Sequence, residues 1–176
     1  MPITRFAPQC PPKQQLGLTL AASPLARGLL ALVVAAAPLR AQAANTSGMI
    51  VYQSDAGFAA TLARVDSAVK KRGLFVMHVL DHSAAAAKFG QTLAPNTVVL
   101  FGNPQVGSQL MACAPRVAID LPQKLLVWEE TGRVKVGYND PSYLARRHGI
   151  QGCAAVLKRV EETLRAVALE VAGGTG

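Results

Sequence analysis

Two short strand-like runs separated by a tight turn constrain the fold of this chain more than any other feature. Residues 124–129 (KLLVWE) and 133–138 (RVKVGY) flank Glu130-Thr131-Gly132. A three-residue connection that contains glycine is typical of a β-hairpin, which joins antiparallel strands. The chain is therefore predicted to contain an antiparallel strand pair at this position.

The rest of the chain alternates between strand-like and helix-like segments. Residues 49–53, 74–80 and 97–101 predict strands, and the second is expected to be central because both of its faces are apolar. A loop is predicted between Pro115 and Pro122. This order predicts an α+β domain, with a small mixed or mostly antiparallel sheet and helices packed on one face. The predicted helices begin near Ser54 and Asp55, Asp81, Asn103, Asn139 and Cys153.

The first 43 residues have the pattern of a secretory signal peptide. A basic segment precedes the apolar run 28–39, and the small-x-small sequence 41–43 follows it. The run has twelve residues, whereas a helix that spans a bilayer needs about 20. A retained membrane anchor is therefore the less favoured alternative. We expect cleavage after Ala43 and a periplasmic or secreted domain over residues 44–176, without a membrane segment.

The charge of the predicted mature chain is modest. It has fourteen basic and ten acidic residues, a net charge of +4. Its basic residues are scattered or lie at helix ends, as Lys70, Lys71 and Arg72 do before Gly73. Nucleic-acid binding requires a basic stripe with stacking aromatic residues, so no nucleic-acid partner is predicted.

The segment 101–111 (FGNPQVGSQLM) has the glycine spacing of a phosphate-binding loop. Ser108, however, stands where the lysine of such a loop belongs, and Pro104 removes a backbone N–H from the cradle. The segment instead predicts a strand end at Gly102, followed by a helix that Asn103 caps and that has Pro104 as its first residue. A small anion at the helix start is the remaining alternative.

Neither a metal site nor a redox motif stands out. His78 is predicted on a strand as a half-buried residue and His82 at a helix start, so their spacing does not form a helical metal pair, and no metal ligands are assigned. Cys113 and Cys153 do not form a CxxC motif. They could pair as a disulfide in an oxidising compartment, and the sequence leaves this open.

Three segments together resemble the domain of unknown function 302 family, in its secreted bacterial branch. They are 81–90 (DHSAAAAKFG), 101–111 and 120–150 (DLPQKLLVWEETGRVKVGYNDPSYLARRHGI). The resemblance extends over about residues 51–150, most of the predicted mature chain. It implies a small, often exported α+β domain and supplies no reaction. Ser108 departs from an expected threonine, and the two cysteines are not part of the pattern. The matching positions are His82, Phe101, Gly102, Asn103, Pro104, Leu110, Met111, Asp120, Leu121, Pro122, Trp128, Tyr138, Asn139, Asp140, Pro141, Tyr143 and His148.

The leading functional hypothesis is a non-enzymatic module that binds a small ligand or a partner, with no cofactor identified. Polar groups at predicted element ends form its candidate surface, because binding sites are usually built there. The alternative is a hydrolase-like or redox-linked enzyme that uses His82 or His148 as general base. A third hypothesis is a homodimer formed through an apolar sheet face. The candidate ligand-binding residues are His82, Asn103, Asp120, Tyr138, Asp140 and His148.

Overall fold

The predicted hairpin lies within a five-stranded antiparallel sheet. The structure, a computed structural model, describes residues 47–174, so the predicted leader lies outside the described residues. The order of the strands is β1-β5-β4-β3-β2, and every neighbouring pair is antiparallel. The α+β prediction is confirmed. The strands are β1 (Met49–Gln53), β2 (Phe75–Asp81), β3 (Asn96–Gly102), β4 (Gln123–Glu130) and β5 (Arg133–Asn139).

Five α-helices and one 3-10 helix accompany the sheet among the described residues. The 3-10 helix (Pro115–Asp120) occupies the segment that was expected to be a loop. Prolines begin both this helix and α3, at positions where a missing N–H costs nothing. Between residues 47 and 174, no helix is both long and apolar enough to cross a membrane. The α-helices are α1 (Phe58–Lys70), α2 (His82–Ala87), α3 (Pro104–Cys113), α4 (Pro141–His148) and α5 (Ala154–Ala172).

The core lies between the sheet and the helices α1 and α5. Alternate residues of β3, β4 and β5 are buried on one face, among them Phe101, Leu125 and Val136. Leu164 of α5 and Val69 of α1 pack in the same cluster. Each fully buried side chain of this size stabilises the fold by about 1.5–3 kcal/mol relative to an exposed one. This burial holds α5 on the sheet and thereby positions one wall of the candidate site.

The opposite face of the sheet, called the outer face below, carries an apolar row. The strand register aligns Val51, Gly137, Leu126, Val98 and Leu80 across all five strands. Residues that lie opposite each other in paired strands project from the same face of the sheet. Two of these side chains are well exposed, the β1 valine by 46% and the β2 leucine by 39%.

Strand β2 lies at the edge of the sheet, so the prediction of a central strand is wrong. Its apolar residues include Met77 and Val79, which are exposed. A bulge between Val76 and His78 shifts the alternation of faces. His78 is exposed as well, rather than half-buried as predicted. An apolar composition on both faces does not distinguish a buried strand from an edge strand.

The start of α1 also differs from the prediction. Gly57 is the N-cap, without a side-chain cap, and neither Ser54 nor Asp55 caps the helix. The Ser54 hydroxyl instead forms a buried hydrogen bond with the hydroxyl of Thr61, at 2.7 Å. Asp55 pairs with Arg64, at 2.7 Å. The chain therefore enters α1 through a buried hydroxyl pair.

Candidate functional site

The strand register places four of the six candidate residues at one end of the sheet, and His148 joins them through its contact with Asp120. Asn103 follows β3, Asp140 follows β5 and Asp120 lies just before β4. This end, called the Asn103 end below, contains the paired positions Phe101 and Gln123. His82 follows the last residue of β2, which pairs with the beginning of β3. Because β2 and β3 are antiparallel, His82 lies at the opposite end, and it does not belong to a common surface with the others.

Tyr138 is near the Asn103 end but belongs to the core. Only 2% of the residue is exposed. Burial, followed by the neighbouring Tyr52, raises the pKa of the Tyr138 phenol well above its usual value. The register places Tyr138 on the buried side of β5, opposite Leu125. It packs beneath the helices and is not available as a surface ligand-binding residue, contrary to the prediction.

Asn103 and Asp140 are both helix N-caps. The Asn103 side-chain oxygen accepts a hydrogen bond from the Gln105 N–H at 2.9 Å, which confirms the predicted cap of α3. Asp140 accepts from the N–H of Ser142 at 2.8 Å and from its hydroxyl at 2.7 Å. Such caps stabilise a helix by about 1 kcal/mol. The carboxylate of Asp140 is therefore occupied by its own helix.

Asp120 and His148 form a close pair. The His148 Nε2 lies 2.5 Å from an oxygen of Asp120, and only 7% and 12% of the two side chains are exposed. Arg147 donates to the other Asp120 oxygen at 3.2 Å. This pair joins the end of α4 to the end of the 3-10 helix. His148 and Arg147 also line a shallow depression together with Pro115, Arg116, Ala118 and Ile119, none of which is a serine, threonine or cysteine.

An apolar cleft of about 430 Å³ opens at the Asn103 end. Its walls come from α3, the 3-10 helix, α5 and the ends of β3 and β4; we call it the α3–α5 cleft. Asn103 lines it, whereas the other five candidate residues do not. Its aliphatic and methionine lining residues include Leu74, Met77, Val106, Leu110, Met111, Leu121, Val160 and Leu164.

Few polar side chains reach the α3–α5 cleft. Gln123 lies on its sheet side and is 9% exposed, while Arg159 and Thr163 come from α5. Arg72 is held by Glu170 and by the backbone carbonyl of Ala68, both at 2.8 Å. Among the described residues, no acidic side chain lines the cleft. The cleft is therefore an apolar space with a few hydrogen-bond donors and a positive charge at its border.

A disulfide joins the two helices that wall the cleft. Cys113 is the last residue of α3, and Cys153 is the N-cap of α5. The two residues are bonded, with their α-carbons 6.4 Å apart. The α-carbon distance is within the range that disulfides adopt, about 4.4–6.8 Å. The bond fixes the end of α3 against the start of α5.

Most of the cleft was not predictable from the sequence. Segment 101–111 predicts a strand end, a turn and a helix start, and Gln123 and Arg159 are not among the predicted site residues. One signal was present: Gln123 has the same phase as Leu125 and Val127 in a strand whose alternate residues are buried. A polar residue in the buried phase needs a hydrogen-bond partner from the protein, from water or from a ligand. In residues 47–174, no cluster of three or more metal-ligating side chains forms.

Comparisons with known proteins give a family match and a structural match. A family model described as "Domain of unknown function DUF302" matches residues 50–169. A crystal structure of an uncharacterized conserved protein DUF302 from Bacillus stearothermophilus aligns with a TM-score of 0.65 at 21% identity, covering 71% of this chain and 98% of that chain. This structural likeness shows the fold.

Two curated relatives carry a functional name. Both are called Fluoride-specific ion channel FluC 1, from Brucella suis biovar 1 (strain 1330) and Brucella abortus biovar 1 (strain 9-941). Each is 38% identical over 105 residues, or 59% of this chain. The match covers 41% and 39% of these relatives, so the chain spans about two fifths of their length. The family model, by contrast, covers more than half of this chain, and the chain therefore belongs to the DUF302 family, a domain of unknown function.

Proposed function

We propose that this protein is an exported, non-enzymatic module that binds a small, mainly apolar molecule in the α3–α5 cleft. The observation that carries the proposal is the cleft itself, which combines about 430 Å³ of space with a predominantly apolar lining. Small-molecule sites typically have about 300–1,000 Å³, apolar walls and a few placed polar groups. The α3–α5 cleft has this combination.

The walls of the cleft are well supported. Leu110 and Leu164 are almost fully buried beneath it, and the disulfide fixes one end of α3 to α5. A cleft with fixed walls loses little conformational entropy when it binds a ligand. We therefore expect binding without a large rearrangement of the fold.

Export is the second part of the proposal. The leader sequence and the Cys113–Cys153 disulfide support it, because disulfides persist mainly in oxidising compartments. The test is expression of the full chain in a Gram-negative host, followed by fractionation and N-terminal sequencing. We expect a periplasmic protein that begins at Ala44. An uncleaved chain in the membrane or cytosolic fraction would contradict export.

Binding is tested by titrating the purified full chain with 1-octanol, using calorimetry and thermal shift. Gly107 lies on α3, and a side chain added there would meet Leu121 at 3.8 Å, inside the cleft. We expect Gly107→Leu to fill the space and to weaken octanol binding at least tenfold. Gln109→Leu is the matched control, because Gln109 is exposed on the same helix and does not line the cleft. Equal affinity of both variants for octanol would contradict the proposal.

The Asp120–His148 pair favours a second candidate, a hydrolase-like enzyme with His148 as general base. A carboxylate within hydrogen-bond reach orients a histidine in many such enzymes. The test is hydrolysis of p-nitrophenyl esters by the wild type, His148→Asn and His82→Asn. This candidate requires that the wild type hydrolyses the esters and that His148→Asn abolishes the hydrolysis. Turnover equal to the buffer background in all three proteins would exclude esterase activity with these substrates.

The apolar row on the outer face favours a third candidate, a homodimer. Val51 and Leu80 are exposed members of that row, and apolar patches on a protein surface often mark interfaces. Light scattering coupled to gel filtration gives the mass directly. A dimer that Val51→Lys converts to a monomer would support this candidate, and a monomeric wild type at high concentration would exclude it.

A further inference from the structure

We propose that the natural ligand of the α3–α5 cleft is a medium-chain carboxylic acid, whose carboxylate is bound by Arg159 and by the side-chain amide of Gln123. The inference rests on the proposed function and specifies its ligand class. The apolar chain of the acid would occupy the space among Leu110, Leu121 and Leu164, which line the cleft.

Gln123 is the first observation. Gln123 is 9% exposed, and its side chain points to the buried face of β4, where it lines the cleft. Within residues 47–174 its side-chain amide forms no hydrogen bond, and it is not one of the enclosed unpaired polar atoms, which are the Thr97 hydroxyl and the Tyr138 phenol oxygen. The amide is therefore open to the space of the cleft. A ligand oxygen in the cleft would accept a hydrogen bond from this amide.

Arg159 is the second observation. It lines the cleft from α5, and no carboxylate in the described part of the chain pairs with its guanidinium. The other arginine of the cleft, Arg72, is neutralised by Glu170. Glu162, one turn from Arg159, pairs with Lys158 at 3.9 Å.

The charges around the cleft therefore favour an anion. No acidic side chain of the described residues lines the cleft, so an anionic group there meets one unneutralised guanidinium and no repelling carboxylate. Guanidinium and carboxylate groups form strong, directional hydrogen bonds. A ligand with one carboxylate and an apolar chain matches both the charge and the apolar lining.

The test compares octanoate with 1-octanol, which have the same chain length and differ in the head group. We expect the full chain to bind octanoate about tenfold more tightly, because charge-assisted hydrogen bonds are stronger than neutral ones and Arg159 is partly screened by solvent. Arg159→Met and Gln123→Met should each reduce this preference, and Arg159→Lys should restore part of it. Rising ionic strength should also reduce it.

Arg165→Met is the matched control. Arg165 is exposed on the same helix and does not line the cleft, so this variant should keep the full preference for octanoate. Equal affinity for octanoate and octanol, or an unchanged preference in Arg159→Met, would overturn the carboxylate inference while the proposed apolar site stands. Binding of neither probe would overturn both. Melting temperatures of all variants establish that each is folded.

Discussion

Removal of the Cys113–Cys153 disulfide is expected to lower the free energy of unfolding by about 4 kcal/mol. The two cysteines are 40 residues apart in sequence. A cross-link over that separation removes chain entropy from the unfolded state, and the usual loop expression gives about 4 kcal/mol at 25 °C. Double substitution by alanine removes the cross-link without adding a polar group at Cys153, which is buried.

The assay is urea unfolding of the full chain, followed by far-UV circular dichroism. Cys10 is replaced by serine in every protein, so that no third thiol exchanges with the pair. The double alanine variant and the reduced parent protein should have similar midpoints, both well below that of the oxidised parent. A loss of less than about 1 kcal/mol, or no effect of a dithiol reductant, would refute the reasoning.

The same substitutions also test the link between the disulfide and the cleft. Because α3 and α5 form two of its walls, releasing their junction should increase the freedom of α3 and raise the dissociation constant for octanol. An unchanged dissociation constant in a folded double variant would show that packing alone holds the walls in place.

Three further predictions concern stability, each measured by urea unfolding. The Thr97 hydroxyl is buried and has no partner among residues 47–174, so Thr97→Val should raise the free energy of unfolding by about 1 kcal/mol. Thr61→Val should lower it, because Thr61 donates a hydrogen bond to the Gly57 carbonyl at 3.0 Å. A change of the free energy in the same direction for both variants would contradict this account. Lys71 and Arg72 hold the pKa of Glu170 below its usual value, so Glu170→Gln should cost about 1 kcal/mol at neutral pH. That cost should vanish as the pH falls through the lowered pKa, since the stabilisation is present only while the carboxylate is ionised; a cost independent of pH would argue against an ionic origin. Gly48 has φ 69°, and a side chain there would lie 2.6 Å from the Tyr143 ring. Gly48→Ala should therefore lower the free energy of unfolding by more than about 2 kcal/mol. An unchanged free energy would mean that the ring moves freely.

Local signals in the sequence predicted much of the fold. The hairpin, the Asn103 cap and the last helix follow from turn chemistry, capping residues and helical spacing, which depend on near neighbours. The edge position of β2 was not predictable in this way, because it depends on which strands pair. Met77 and Val79, which composition alone places in a core, are exposed on this edge strand beside its bulge.

The candidate site was less predictable than the fold for the same reason. Asn103 and Asp140 are polar residues at element ends, but their side chains are used in capping. His82 was grouped with them although the register separates the two ends of the sheet. The cleft residues Gln123 and Arg159 come from β4 and α5, and no local pattern in the sequence brings these two positions together.

Amide chemical-shift mapping of octanol binding tests the central claim most directly. Adding 1-octanol to the isotope-labelled full chain should shift the amide signals of residues 103–111 and 159–164, which flank the α3–α5 cleft. The signals of α2, at the opposite end of the sheet, should remain in place. Shifts confined to α2 or to the outer face, or no shifts at saturating octanol, would contradict a binding site in this cleft.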